Sequence, residues 1–109
     1  MDLLNIDDAM ARLNNNKKLY IMLLKKFDCA ALLEELLGKI KEGDAVGAEA
    51  SAHTIKGLAA NLSLADLREK AEAIDAILKT GDINVDTAEL EFSATQTAAA
   101  ISEYIAQNS

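Results

Sequence analysis

A single histidine stands in the alanine-rich stretch AHTIKGLAAN, which covers residues 52–61. His53 is followed one helical turn later by Lys56 and Gly57. An imidazole with a free nitrogen is a good nucleophile near neutral pH. A phosphoryl group is a suitable electrophile here, because a neighbouring lysine can neutralise its oxygens. The spacing therefore predicts that His53 is phosphorylated and that Lys56 is the charge partner of the phosphate.

Gly57 is predicted to keep the surface beside the histidine open. Glycine inside a helix costs about 1 kcal/mol relative to alanine, so its presence needs a compensating role. Without a side chain, Gly57 leaves room for a partner protein to approach the imidazole, and Ala60 continues this small-residue surface for another turn.

A helical wheel at about 100° per residue separates His53 from the predicted core face. The core arc consists of Ala48, Ala52, Ile55, Ala59 and Leu62. His53 falls roughly 140° from Ala48 and therefore projects outward. The predicted partner-binding surface on the outward side consists of Val46, Glu49, Ala50, Ala60 and Asn61.

Helical periodicity predicts the elements that position this stretch. A short helix runs from the N-cap Asn5 to about Leu13, and a long helix with a candidate bend at Phe27-Asp28-Cys29 covers about 17–41. The predicted buried stripe of the long helix is Leu19, Met22, Leu23, Phe27, Ala30, Leu33, Leu37 and Ile40. The active helix covers about 45–62 with Asp44 as its cap. Ser63 is predicted to cap the next helix, to about Lys79, with Asp66 in a capping-box role. The residues of this helix predicted to face inward are Leu64, Leu67, Ala71, Ile74 and Leu78. The last helix starts at Asp86 or Thr87.

Length and composition favour one all-α domain over residues 1–109. The 109 residues are half hydrophobic and contain no proline, and few are aromatic. Four substantial helices with short connections predict an antiparallel up-down four-helix bundle, with the short extra N-terminal helix as a lid. We expect a monomer.

Charge and cysteine content exclude several classes of partner. The net charge of −7 does not suit binding to nucleic acid or to an anionic membrane. The single cysteine, Cys29, fits a reducing compartment and is interpreted as a small buried hydrophobe. Because the sequence shows neither a membrane span nor the basic and apolar start of a signal peptide, it predicts a cytoplasmic location.

Three other functions are open to test. A catalytic domain lacks support, since the sequence has no Gly-rich phosphate loop and no second histidine. A metal site is not predicted, because one histidine with acidic residues off ligand spacing is a poor ligand set. A degenerate bundle that only docks a partner protein is the main alternative, and the combination of His53, Lys56 and Gly57 weighs against it.

At these residues the sequence resembles the histidine-containing phosphotransfer (HPt) domains of bacterial multistep phosphorelays. The segment AHTIKGLAANL is similar to the family signature, and KEGDAVGAEASAHTIKG is similar to its lead-in. LREKAEAIDAILKTGD resembles the following helix, and LNIDDAMARLNNNKKLYIMLLKKF resembles the N-terminal part of the family. Two departures are Ser63, where many members have glycine, and Asp75, where glutamate is frequent.

The resemblance implies a four-helix bundle and a phosphocarrier that is not itself an enzyme. His53 would carry the phosphoryl group, Lys56 would hold its charge and Gly57 would leave space. The expected partners are receiver domains of hybrid sensor histidine kinases and of response regulators, although chemotaxis-type members are phosphorylated by a kinase domain. The chain itself would need no cofactor, because Mg²⁺ would be held by the partner receiver domain.

Overall fold

The computed structural model describes residues 2–108, in which all regular secondary structure is α-helical, as predicted. Six helices follow one another along the chain: α1 (Ile6–Arg12), α2 (Lys17–Lys26), α3 (Cys29–Lys41), α4 (Ala45–Asn61), α5 (Ala65–Leu78) and α6 (Ala88–Asn108). None of the described helices is long and apolar enough to cross a membrane.

The predicted helix 17–41 is two helices, α2 and α3, broken at the predicted bend. Phe27 leaves the helical region with φ −80° and ψ 106°, and the Asp28 side chain accepts a hydrogen bond from the Ala31 N–H. The break changes the phase of the buried stripe. Met22 and Ala30, predicted to face the core, are exposed, whereas Tyr20 and Leu36 are fully buried.

Helices α3, α4, α5 and α6 form the bundle, since α3 and α5 each pack against both α4 and α6. Gly43 ends α3 with φ +75°, and Asp44 then caps α4 by accepting from the Gly47 N–H at 2.8 Å, as predicted. Ala48, Ala52 and Ala59 of α4 are fully buried, and their small side chains let the neighbouring helices approach closely. All predicted inward residues of α4 and α5 are buried: Ala48, Ala52, Ile55, Ala59, Leu62, Leu64, Leu67, Ala71, Ile74 and Leu78.

Ser63 does not cap α5, contrary to the prediction. It ends α4 instead, in the left-handed conformation with φ +59°. The Ser63 N–H donates to the Ala60 carbonyl at 3.2 Å, and the Leu64 N–H donates to the Ala59 carbonyl at 2.8 Å. These two hydrogen bonds define a Schellman motif, whose left-handed position usually holds glycine. Asp66 makes no capping box, because its carboxylate accepts from the Ser93 hydroxyl instead.

The N-terminal helices pack on the turn between α4 and α5. The Asn5 N–H donates to the Ser63 carbonyl at 2.9 Å, and the Ser63 hydroxyl donates to Asp8 at 2.6 Å. The Tyr20 hydroxyl, fully buried, donates to the Leu62 carbonyl at 2.7 Å. Burial raises the pKa of Tyr20 to about 12, so its hydroxyl keeps the proton that it donates. The end of α4 is therefore held from both sides.

Cys29 is buried among the core residues at the start of α3, which agrees with its interpretation as a small hydrophobe. Burial raises the pKa of its thiol. The thiol is therefore disfavoured as a reactive thiolate.

Candidate functional site

His53 lies in the middle of α4 and projects away from the core. Its side chain is 64% exposed, whereas Ala52 beside it is fully buried. The imidazole Nδ1 lies 3.9 Å from the Oδ2 atom of Asp75 on α5. One edge of the ring therefore faces a carboxylate, and the rest of the ring is open to solvent.

Asp75 is the buried acidic residue on which this site is built. Its side chain is 2% exposed, and its Oδ2 atom accepts a hydrogen bond from Lys56 Nζ at 3.1 Å. Lys79, one turn further along α5, brings a second ammonium to 3.3 Å from the same oxygen. Two cations therefore compensate one buried carboxylate directly beside the histidine.

The proximity of two carboxyl groups affects how each binds a proton. Glu49 lies one turn before His53 on α4, and a hydrogen bond between its protonated carboxyl and Asp75 raises the pKa of Glu49. Burial by itself would raise the pKa of Asp75, but hydrogen bonds from Glu49, Lys56 and Lys79 outweigh it and lower that pKa. Asp75 therefore keeps its negative charge, and Glu49 is the carboxyl that takes up a proton.

Gly57 opens the surface one turn beyond His53. It is exposed, and a Cβ atom placed on it would meet no atom within 4 Å, leaving out the adjacent backbone. The glycine is therefore not required by close packing inside this chain. Val46 and Leu58, on either side of His53 along α4, are exposed large hydrophobic residues, at 83% and 36%.

The predicted partner-binding residues do not all lie together. Val46 and Ala50 are exposed on the N-terminal half of α4, and Glu49 is half-buried beside Asp75. Ala60 is half-buried and lines a cavity of about 320 Å³ with Asp8 and Ser63. Asn61 is exposed, but it lies eight residues beyond His53, which is roughly 12 Å along the helix.

A metal site is not predicted from the sequence, on the ground that no acidic residues lie at ligand spacing from His53. That ground is wrong. Glu49 and His53 are four residues apart on one helix, and α5 brings Asp75 to them. Each of the three residues offers one potential ligand atom, and these atoms lie within 4.8 Å of one another.

Sequence reasoning did not place Asp75 and Lys79 in the site. In the sequence, Asp75 stands out only as a departure from a family glutamate. One signal was present, because Asp75 stands next to the inward Ile74, where a charged residue needs a partner. Its partner at i+4, Lys79, was also visible in the sequence.

Comparison with protein families supplies the decisive observation. The family model described as Hpt domain matches residues 26–107, which is three quarters of the chain. The chain belongs to the Hpt domain family. Comparison of this Hpt domain with curated proteins and with solved structures finds no match.

Hpt domains take part in histidine phosphotransfer in phosphorelays, where they interact with receiver domains and response regulators as carriers without a kinase core. The matched residues contain α3, α4, α5 and all but the last residue of α6, and therefore the whole cluster around His53. The match does not reach the residues before 26, so the resemblance of the N-terminal stretch to other Hpt domains stays a prediction.

Proposed function

We propose that the chain accepts a phosphoryl group on His53 from the aspartate of one receiver domain and passes it to the aspartate of another. The observation that carries the proposal is the pairing of an exposed imidazole with a buried, charge-compensated carboxylate, Asp75. Membership of the Hpt family supports the same reaction.

The orientation of the imidazole indicates which of its nitrogens attacks, because Nδ1 is the one that faces Asp75. With its proton on Nδ1, the imidazole turns this N–H towards the Asp75 carboxylate and leaves the lone pair of Nε2 facing solvent. The separation of 3.9 Å is longer than a hydrogen bond, and such contacts commonly shorten when a reactant binds. Asp75 thus acts as a positioning residue that selects the tautomer and the reactive nitrogen.

The proposed transfer step is a displacement at phosphorus. The Nε2 lone pair attacks the phosphorus atom of the receiver's aspartyl phosphate, and an N–P bond forms. The P–O bond to the aspartate breaks, and its electron pair stays on the regenerated carboxylate. The imidazole keeps its Nδ1 proton throughout, so no other base is needed. Transfer to the next receiver is the reverse of this step.

Lys56 is proposed to balance charge during transfer. Its Nζ atom already lies 3.1 Å from Asp75, and its side chain is 24% exposed. A phosphoryl group on His53 adds negative charge next to this buried carboxylate, which a nearby ammonium makes less costly. Lys79 supplies a second positive charge to the same carboxylate.

Gly57 is proposed to give the receiver access, and the exposed Val46 and Leu58 supply apolar docking contacts on α4. We further propose that the chain is a single domain, acts as a monomer in the cytoplasm and has no kinase activity. Mg²⁺ and the acidic pocket that binds it would belong to the receiver domain.

Acceptance from a phosphorylated receiver domain tests the proposal. The chain should acquire phosphate that is labile in acid and stable in base, as expected for phosphohistidine. His53→Gln should acquire none, while its circular dichroism matches that of the parent protein. Continued labelling of His53→Gln would refute the assignment. A parent protein that binds the receiver but takes no label would instead be the degenerate docking module.

A further inference from the structure

The buried carboxylate beside His53 has a free oxygen that the phosphocarrier role does not use. Lys56 and Lys79 both contact Oδ2 of Asp75, at 3.1 and 3.3 Å. Its Oδ1 atom is buried and has no hydrogen-bond partner among the described residues while Glu49 is ionised. Only the protonated form of Glu49 can donate a hydrogen bond to the Asp75 carboxylate. Leaving a carboxylate oxygen buried without a partner is costly, and the partner that suits it is a hydrogen-bond donor or a cation.

Two further potential metal ligands beside Asp75 indicate that the partner of its Oδ1 atom is a metal cation. Glu49 and His53 each offer an atom within 4.8 Å of the Asp75 carboxylate, and they stand at the i, i+4 spacing that places two ligands on one helix face. One imidazole nitrogen with two carboxylate oxygens is a ligand set that suits Zn²⁺, with water in the fourth position. Mg²⁺ prefers all-oxygen octahedral surroundings and suits the cluster poorly.

We propose that Glu49, His53 and Asp75 bind a zinc ion. Ligand atoms about 2.0–2.2 Å from tetrahedral Zn²⁺ stand about 3.3–3.6 Å apart. The present separations, which reach 4.8 Å, must therefore shorten by up to about 1.5 Å. His53 is exposed and Glu49 is half-buried, so both side chains have room to move. Asp75 is fixed by its two lysines, which occupy Oδ2 and leave Oδ1 to the metal.

Zinc binding would oppose phosphorylation, a consequence that rests on the proposed function. Nδ1 is the ring nitrogen that lies 3.9 Å from Asp75, and it is therefore the one that zinc takes. A neutral imidazole that gives its Nδ1 lone pair to a metal carries its proton on Nε2. The protonated Nε2 then has no lone pair with which to attack the phosphoryl group. Zinc and the phosphoryl group therefore compete for one histidine.

Titration of the full chain with Zn²⁺ alone, followed by calorimetry, tests the site. We expect saturation at one ion per chain and an affinity at least about 10-fold lower in Glu49→Gln and in His53→Gln, since even indirect partners of a metal contribute about that much. Glu89→Gln, which removes an exposed carboxylate on α6, is the matched control and should bind as the parent does. Millimolar Mg²⁺ should not displace the zinc.

Equal affinity in Glu49→Gln and the parent, or binding that never saturates, would overturn the site and indicate only adventitious surface binding. Labelling by phosphoramidate tests the consequence separately. Zinc should suppress labelling and a chelator should restore it, whereas undiminished labelling of the zinc-loaded chain would overturn the competition. A metal-free chain that takes no label would refute the phosphocarrier role, and the calorimetric result would still decide the zinc site.

Discussion

Lys56 and Lys79 share one acceptor, the Oδ2 atom of Asp75, but they differ in exposure. The Lys56 side chain is 24% exposed and that of Lys79 is 56% exposed. We expect Lys56→Ala to lower the free energy of unfolding by about 1.5–3 kcal/mol, as for a buried hydrogen bond to a charged group. Lys79→Ala should cost about 0.2–1 kcal/mol, because solvent screens it. Urea unfolding at pH 7 measures both.

The same two variants separate structure from charge balance at the phosphohistidine. Phosphorylated Lys56→Ala should lose its phosphoryl group faster than the parent protein does. If the two lysine variants match each other in both stability and phosphohistidine lifetime, Lys56 has no special place in the site.

Gly57 allows access to be tested apart from folding. Because its Cβ position is open, Gly57→Ala should raise the free energy of unfolding by up to about 1 kcal/mol. Gly57→Leu should stay folded, yet its transfer from a receiver should fall on the order of 10²-fold, since small displacements cost this much. Phosphoramidate, which needs no docking, should still label His53. Melting curves and the two labelling rates are the measurements.

Gly38 provides the matched control, because it is exposed in the interior of α3 and its Cβ position is also open. Gly38→Leu should leave receiver transfer unchanged. An equal fall in transfer for both leucine variants would mean that the effect does not come from docking at Gly57.

Ser63 has a strained left-handed backbone, and its hydroxyl donates a hydrogen bond to the Asp8 carboxylate. The effect of replacing Ser63 on the free energy of unfolding should therefore depend on pH. The hydrogen bond from Ser63, followed by the one from Arg12, lowers the pKa of Asp8 below its ordinary value of 3.8. That stabilisation is present above the ordinary value and is lost as pH falls through the lower folded value. Ser63→Gly relieves about 1–2 kcal/mol of left-handed strain but removes the bond. As the pH falls from 7 to 3, the parent loses this stabilisation and the variant does not. The free energy of unfolding of Ser63→Gly should therefore rise relative to that of the parent.

Ser63→Ala is the control for this experiment, because it removes the hydroxyl and keeps the strain. It should be less stable than Ser63→Gly at both pH values. A stability difference between Ser63→Gly and the parent that is the same at pH 7 and pH 3 would contradict the coupling to Asp8.

At the scale of the helices, Asp28 decides where one element ends and the next begins. Its carboxylate accepts from the Ala31 N–H at 3.0 Å and caps α3. Asp28→Ala should lower the free energy of unfolding by about 0.5–2 kcal/mol, while Asp28→Asn keeps an acceptor and should cost little. Chemical unfolding of the two variants measures this. Equal losses would show that charge, not the cap, is what matters at Asp28.

The elements also show how far sequence reasoning reaches. The faces of α4 and α5 were predicted correctly, because each helix runs unbroken and its apolar period keeps one phase. The stripe across α2 and α3 was predicted correctly only in part. Leu23, Phe27, Leu33 and Ile40 pack on the core, but Met22 and Ala30 are exposed, because the break at Phe27 changes the phase between the two helices. Ser63 was assigned to the wrong helix, because serine is a common N-cap and the left-handed position it occupies usually holds glycine.

In the candidate site too, the residues within one helix were predicted and those on a second helix were not. His53, Lys56 and Gly57 share one helix, so periodicity alone placed them on one outward face. Asp75 and Lys79 lie on α5, and how α5 turns against α4 follows from packing that spacing along the chain does not contain. The cluster of Glu49, His53 and Asp75 is therefore created by the packing of α5 on α4.

At the scale of the whole molecule, the bundle holds one exposed imidazole at its surface and fixes the charges beneath it. The central claim is that this arrangement passes a phosphoryl group on as well as accepting it. The direct measurement isolates the phosphorylated chain, mixes it with an unphosphorylated receiver domain of a response regulator and follows both phosphoproteins over time. We expect phosphohistidine to decrease as aspartyl phosphate appears on the receiver in equal amount, and a receiver lacking its acceptor aspartate to gain none. Phosphate that stays on His53, or leaves it only as inorganic phosphate, would contradict the central claim.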